Sequence, residues 1–580
     1  VIRGIKYLLA VVLALGLVGG NVSASSITST NDKAEVSSSQ TYKKGITQET
    51  NYGNVKGYVN VEENALVWKG LPYAKAPVGD MRWKAPEDPA PFEGTFDATK
   101  SGNIAIQSSA QGIIGSEDSL NLDIYRPNTN KKNLPVLFFI HGGNNQTGKS
   151  EEITGESFVN DLDAIFVSVN YRLGPLGFNP LPALNTGNGL EDSGNYALLD
   201  IAKSLDWVKE NIKSFGGDPN NVTISGFSAG GRDVMAALAS PIFEGKFQKA
   251  IAFSGGMTMA EKDDSVKVFA KAIAPLVVQD GVKSSEEEAY QWLQTKDEAV
   301  KDYLYGLSAD RLSGLMSNAA IRMSVFPHLY NDGVILPKEK FDTKNYHSVP
   351  LIMLTGTSEF SFFAWGDPYF ASSVQDGSLF TDETKYAEYT FAKNYGSKLY
   401  GLFNTQESAE KMYDNYKAPI YTVEIPFGEQ PTGTSDMMSI FGSFHGVFVP
   451  LLDSNNKSYL PMMRESYSLE GAKELSVQFK QYLANFLHDH KGNPNGKKLT
   501  DWEAWTKKKP ANLVLTANET NAIAEMSVVT TGKLDVIQQI EKDMSISPVA
   551  KEKIVREVLN GRWFSAELDE FYGNKSLWVE

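Results

Sequence analysis

The segment Gly226-Phe227-Ser228-Ala229-Gly230-Gly231 has the residue types and spacing for nucleophilic chemistry. It follows an apolar run, Asn221-Val222-Thr223-Ile224-Ser225, and precedes a helical stretch, Arg232 to Ala239. A serine on such a sharp strand-to-helix turn is exposed above the sheet edge, and the turn tolerates no bulk beside it. Glycine at 226 and 230 meets that requirement. The N-terminus of the following helix offers free N–H groups and a positive field to a developing oxyanion. The serine also needs a base, and histidine titrates where a proton can be both taken and returned. Six histidines are available: 141, 328, 347, 445, 488 and 490. His347 sits in a polar loop, while His488 and His490 end an amphipathic helix. With no cysteine in the chain, disulfides, thiolate metal sites and a cysteine nucleophile are all excluded. No HExxH, glycine-rich phosphate loop or metal cluster is evident, so no metal and no cofactor is implied.

The elements that would hold these residues alternate. Leu134 to Ile140 is a short apolar run ending at His141-Gly142-Gly143, and Ala164 to Asn170 is another. Between Tyr196 and Ile212, the residues Leu198, Ile201, Leu205, Val208 and Ile212 recur at helical spacing. Two further strand-like runs are Ala250 to Phe253 and Pro350 to Leu354. Such alternation predicts a mostly parallel central sheet with helices on both faces. Sites in such sheets lie just beyond the carboxyl ends of the strands.

Composition narrows the function. Of the 580 residues, 42% are hydrophobic and 11% aromatic, enough for a large core. A formal charge of −15 argues against nucleic acid as a partner, because phosphate binding needs a basic footprint. At the N-terminus, Arg3 and Lys6 precede the apolar run Tyr7 to Val18, and Val22-Ser23-Ala24 gives a small-residue cleavage pattern. Residues 1–24 therefore read as an export signal, which predicts a secreted or periplasmic protein. The run is shorter than the ~20 residues a span needs, so no stable membrane anchor is expected after cleavage. Residues 25–50 read as a flexible leader and 51–580 as one domain, with a helical extension from about 530. Asp535 to Asn560 in that extension suits either capping the fold or assembly, and the oligomeric state stays open.

Several motifs, in order, resemble the type-B carboxylesterases, a family that includes the cholinesterases and bacterial para-nitrobenzyl esterases. They are Gly70-Leu71-Pro72-Tyr73-Ala74, Pro77-Val78-Gly79 to Arg82-Trp83, Glu117-Asp118-Ser119-Leu120-Asn121-Leu122, Val167 to Phe178, and Phe215 to Gly231. The resemblance runs from about residue 51 to Trp502–Trp505. It implies the α/β-hydrolase fold and a triad in the chain order Ser, acid, His. Carried onto this sequence, the nucleophile is Ser228, the acid Glu359 in Gly356-Thr357-Ser358-Glu359, and the base His445 in Gly442-Ser443-Phe444-His445-Gly446. The oxyanion donors are the N–H groups of Gly143, Asn144 and Ala229. The implied activity is hydrolysis of small carboxylic esters through an acyl-enzyme. The alternatives are a catalytically silent adhesion protein on the same fold, or an acyltransferase or lactonase using the same triad.

Some positions depart from the family pattern. Asn144 stands at the third of the usual three glycines, and Phe227 replaces the glutamate usual before the nucleophile. Val447 lies near the histidine where an acid is usual. Ala105 and Ser119 take the places of two cysteines that close a family loop, and Asp97 to Ser119 has no aromatic residue. The choline-binding tryptophan lies in that loop in cholinesterases, so cholinesterase activity is not expected. Phe360, Phe362, Phe363 and Trp365 follow the acid and suit the wall of an acyl pocket or, at least as well, core packing, so no role is assigned to them.

Overall fold

A computed structural model of the chain describes residues 41–430 and 433–574. The export signal at 1–24 and residues 25–40 of the leader lie outside the described residues. The central sheet has eleven strands. In chain order they are β1 Tyr58–Asn60, β2 Ala65–Pro72, β3 Asn121–Pro127, β4 Leu134–Ile140, β5 Ile165–Val169, β6 Gly217–Phe227, β7 Lys249–Phe253, β8 Leu351–Gly356, β9 Ile420–Ile425, β10 Ala511–Ala517 and β11 Ala522–Val528. Their order across the sheet is 1-2-3-5-4-6-7-8-9-10-11. Strands from β5 to β10 run parallel, and antiparallel strands finish both edges.

The middle strands are buried along their whole length because helices cover both faces. β4, Leu-Pro-Val-Leu-Phe-Phe-Ile, and β5, Ile-Phe-Val-Ser-Val, have no exposed position. That is the continuous apolar pattern of a parallel sheet rather than the alternation of a half-solvated one. Helix α1, Tyr196–Asn211, buries Leu198, Ile201, Leu205 and Val208, as their spacing predicts. Helix α2 is Ala229–Ala239, every residue of it buried. The sequence pattern starts this helix at Arg232, but it begins directly after Ser228. The Gly230-Gly231 pair is where the helix passes close to neighbouring backbone.

The folded body also reaches back before residue 51. Thr47–Thr50 pairs with Gly53–Lys56, and the Tyr42 ring lies 3.8 Å from the Arg126 guanidinium. Burial of Tyr42, Gln48 and Thr50 fixes a stretch whose polar composition alone suggests a flexible leader. At the other end, α3 Lys533–Lys542 and α4 Pro548–Glu557 cap the domain. The Tyr395 hydroxyl donates to Asp543 at 2.7 Å, and Lys533 bridges Glu407 and Glu567. The chain then runs inward. Trp563 N–H donates to Ile321 and Met323 N–H to Gly561, so residues 561–563 lie along residues 321–323. No helix among the described residues is long and apolar enough to cross a membrane.

Candidate active site

The parallel strands end level with one another, and the candidate site residues follow their carboxyl ends. Gly226 pairs with both Ile140 and Ala252, and Phe253 with Leu354. Four loops therefore open on one side: His141 to Gly148 after β4, Ser228 after β6, Ser254 after β7 and Glu359 after β8. His445 follows β9 on a longer excursion.

Ser228 caps α2 with φ 58° and ψ −117°, a backbone conformation few non-glycine residues adopt. Its N–H is held by the Phe253 carbonyl at 2.8 Å, and its carbonyl accepts from Arg232 N–H at 3.0 Å. The turn is closed so tightly that a Cβ at Gly226 would run into the Gly230 carbonyl. A Cβ at Gly230 would run into the Ile140 carbonyl in turn. This is the local reason for glycine at both positions.

Glu359 and His445 meet in the structure. Glu359 is fully buried, and its Oε2 pairs with His445 Nδ1. Its other oxygen accepts from Ser254 Oγ at 2.5 Å, Gly356 N–H at 2.6 Å and Thr355 Oγ1 at 3.2 Å. Four groups thus fix one carboxyl group, and the imidazole is oriented through it. The remaining ring nitrogen, His445 Nε2, is buried with no hydrogen-bond partner. Four of the other histidines have a ring nitrogen engaged elsewhere. His141 Nδ1 meets the Gly142 carbonyl, and burial lowers this group to about 4. His328 Nδ1 meets the Phe326 carbonyl and its Nε2 takes an N–H of Arg232. His347 and His488 each meet a backbone carbonyl away from this cluster, those of Ser240 and Leu162.

The loop after β4 passes over the serine. A Cβ at Gly142 would stand 3.1 Å from that of Ser228. Gly143, Asn144 and Asn145 all have positive φ, at 96°, 57° and 56°. Asparagine is among the few residues that adopt such angles readily, which is how Asn144 stands where glycine is usual. Among the described residues, no protein group takes the backbone N–H groups of Gly143, Asn144 and Ala229. The Asn144 side chain turns aside to Gln146 at 2.7 Å. Asn145 is anchored to Asp233 at 2.8 Å and to the Tyr171 hydroxyl at 2.9 Å. Glu152 steadies the start of the loop by accepting from Gly142 N–H at 2.7 Å. Burial pushes the Glu152 carboxyl up to about 7, against the pull of that hydrogen bond.

Aromatic rings wall the remainder. The Phe227 ring lies 4.7 Å from the His445 ring and 5.2 Å from Phe448, which stacks on Phe253 at 4.3 Å. Phe363 approaches the imidazole at 5.3 Å, and Tyr400 stacks on it at 5.5 Å. The Tyr400 hydroxyl lies beside the Ser228 side chain but meets no partner in hydrogen-bonding geometry.

A model of the carboxylesterase family matches residues 45–424. The chain belongs to the carboxylesterase family. It is 42% identical over 241 residues to the para-nitrobenzyl esterase of Bacillus subtilis, covering 40% of this chain and 48% of that one. It is 43% identical over 217 residues to a juvenile hormone esterase of Tribolium castaneum, covering 36% of each chain. These alignments span about half or less of those relatives. A longer one, 31% identical over 501 residues, covers 78% of this chain and 86% of a medium-chain fatty acyl-CoA hydrolase precursor of Anas platyrhynchos. Among solved structures, a PNB esterase matches at 27% identity with a TM-score of 0.63, covering 83% of this chain and 97% of that one. A thermophilic PNB esterase matches at 26% with a TM-score of 0.65, covering 84% and 99%. The family model stops well short of residues 533–574, which carry Trp563 and Phe564 to the Tyr400 ring.

Against the family pattern, Phe227 and Phe448 form an apolar contact under the imidazole. Val447 is buried and its carbonyl accepts from the Tyr467 hydroxyl at 2.7 Å. Four residues at the site escape sequence reading: Ser254, Glu152, Arg232 and Tyr400. Ser254 had a usable signal, since it ends an apolar strand before two glycines just as Ser228 does. Glu152 and Tyr400 are brought to the serine by long-range packing alone, and Arg232, one helical turn from Ser228, owes its role to partners distant in sequence.

Proposed function

We propose that the protein is a serine carboxylesterase, exported by its N-terminal segment, that hydrolyses carboxylic esters through an acyl-enzyme on Ser228. His445 Nε2 removes the Ser228 hydroxyl proton as the oxygen attacks the ester carbonyl. The N–H groups of Gly143, Asn144 and Ala229 take the negative oxygen of the tetrahedral intermediate. Collapse of the intermediate expels the alcohol, which receives the proton from His445. A water then gives its proton to His445 as it attacks the acyl carbonyl, and collapse of the second intermediate releases the acid while His445 returns that proton to the Ser228 oxygen. Glu359 holds the imidazole in the tautomer with Nδ1 protonated and stabilises its cationic form.

The observation carrying this reading is the Glu359–His445 pair with a free, buried Nε2 in the same aromatic pocket as the strained Ser228. Membership of the carboxylesterase family supports it. A binding protein without chemistry has no need for a four-bonded carboxyl group aligned behind an otherwise unused imidazole. Purified Ser228→Ala should lose roughly 10⁴-fold or more in turnover of a short p-nitrophenyl ester. A variant that keeps the parent rate rules the assignment out. Export predicts that the secreted protein begins at Ser25, which N-terminal sequencing reads directly.

A further inference from the structure

Arg232 lies one helical turn beyond Ser228 and is completely buried. Its partners are neutral. One guanidinium nitrogen donates to His328 Nε2 at 2.7 Å, and another faces the Thr258 carbonyl at 3.4 Å and the Met323 sulfur at 3.6 Å. The Trp563 ring covers the guanidinium at 4.1 Å. The neighbouring Asp233 carboxyl group bonds Asn145 through one oxygen, and burial raises it to about 7 against the pull of Arg232. Among the described residues no carboxylate hydrogen-bonds the buried guanidinium, which leaves it less stabilised than one paired with an anion.

Among the described residues, three donors in this cluster have no acceptor: Arg232 Nε, the Tyr400 hydroxyl and Trp563 Nε1. They belong to one packed unit, because Trp563 touches Arg232 on one side and meets Tyr400 edge-on at 6.3 Å on the other. The Tyr400 hydroxyl in turn lies beside Ser228. A surplus of buried donors around a lone cation is complementary to an anion with several acceptor lone pairs. The leaving alcohol must face His445, which returns its proton. Tyr400 stacks on the His445 ring and lies beside Ser228, so the cluster adjoins the reacting serine.

We infer that Arg232, with Tyr400 and Trp563, forms a carboxylate subsite for the acyl half of the substrate, making monoesters of short dicarboxylic acids the preferred class. This inference rests on Ser228 being the nucleophile. The subsite also gives the C-terminal segment a role, since Trp563 reaches the site only because residues 561–563 run beside residues 321–323.

The test compares monophenyl glutarate with phenyl valerate, acyl groups of equal chain length that differ by a terminal carboxylate in place of a methyl group. Arg232→Met should lower the ratio of kcat/KM for the acidic over the neutral ester by about 100-fold, the scale of a charge-assisted hydrogen bond in a buried site. Arg232→Lys should restore part of the ratio. A purely structural Arg232 lowers both rates together, and an unchanged ratio overturns the inference. Should Arg232→Met fail to fold, the parent enzyme supplies the decision. Glutarate must inhibit phenyl valerate hydrolysis more strongly than valerate does; equal or weaker inhibition overturns the subsite. If the parent hydrolyses neither ester, the esterase reading itself fails, which is a separate outcome.

Discussion

Glu152→Gln removes a titration without removing a shape. In the parent, Glu152 accepts a hydrogen bond from Gly142 N–H, and its carboxyl group is raised from 4.5 to about 7 by burial. Glutamine keeps an acceptor oxygen for that N–H. Between pH 4.5 and 7 the folded protein holds a proton at this site that the unfolded chain has released. Stability from this group is therefore fully present below pH 4.5, falls as pH rises, and levels off above 7. The whole gap corresponds to about 3 kcal/mol, of which about 2 kcal/mol falls between pH 5.5 and pH 8. Other buried acids titrate in the same range, Asp233 and Asp123 among them, so the parent's total slope is steeper. Comparison of parent with variant isolates the Glu152 share. The assay is urea unfolding of both proteins at pH 5.5 and 8, with reversibility checked at each. The variant should lose about 2 kcal/mol less than the parent over that interval. Equal losses in the two proteins would refute a buried, proton-holding Glu152.

Three other expectations are tied to single contacts. Ser254→Ala removes one of the hydrogen bonds fixing Glu359 and should lower kcat about 10- to 100-fold with KM nearly unchanged; a shift in KM alone would contradict a positioning role. Gly230→Ala places a methyl group against the Ile140 carbonyl and should cost about 3 kcal/mol of stability along with the elbow's geometry, read by thermal unfolding and turnover together. At Asn144, with φ 57°, valine should cost at least about tenfold more in kcat/KM than glycine, because a β-branched residue resists that backbone conformation. Equal losses would place the oxyanion donor elsewhere.

The parallel sheet and the elbow were legible in the sequence because both are local patterns. β4, β5, β7 and β8 are short, mostly apolar runs, and Gly226-Phe227-Ser228-Ala229-Gly230 has its meaning at one turn. The pairing of Glu359 with His445 was legible only through resemblance, since nothing local to Glu359 distinguishes it from a loop carboxylate. Boundaries failed where tertiary contacts override composition. Tyr42 orders a polar leader by packing on Arg126, and Gly230-Gly231 sit inside α2 because the helix needs close approach there. The Arg232 cluster lay beyond local reading altogether. Its residues lie on α2, in the segment around residues 323–328, on the helix Glu383–Asn404 and near the C-terminus, and only folding gathers them.

The central claim, that Ser228 is the nucleophile, is tested most directly by covalent capture. Treatment of the folded protein with a fluorophosphonate probe, followed by proteolysis and mass spectrometry, should yield one stoichiometric adduct on the peptide bearing Ser228, absent from denatured protein and strongly slowed in His445→Ala. No adduct, or an adduct on another residue, would contradict the account.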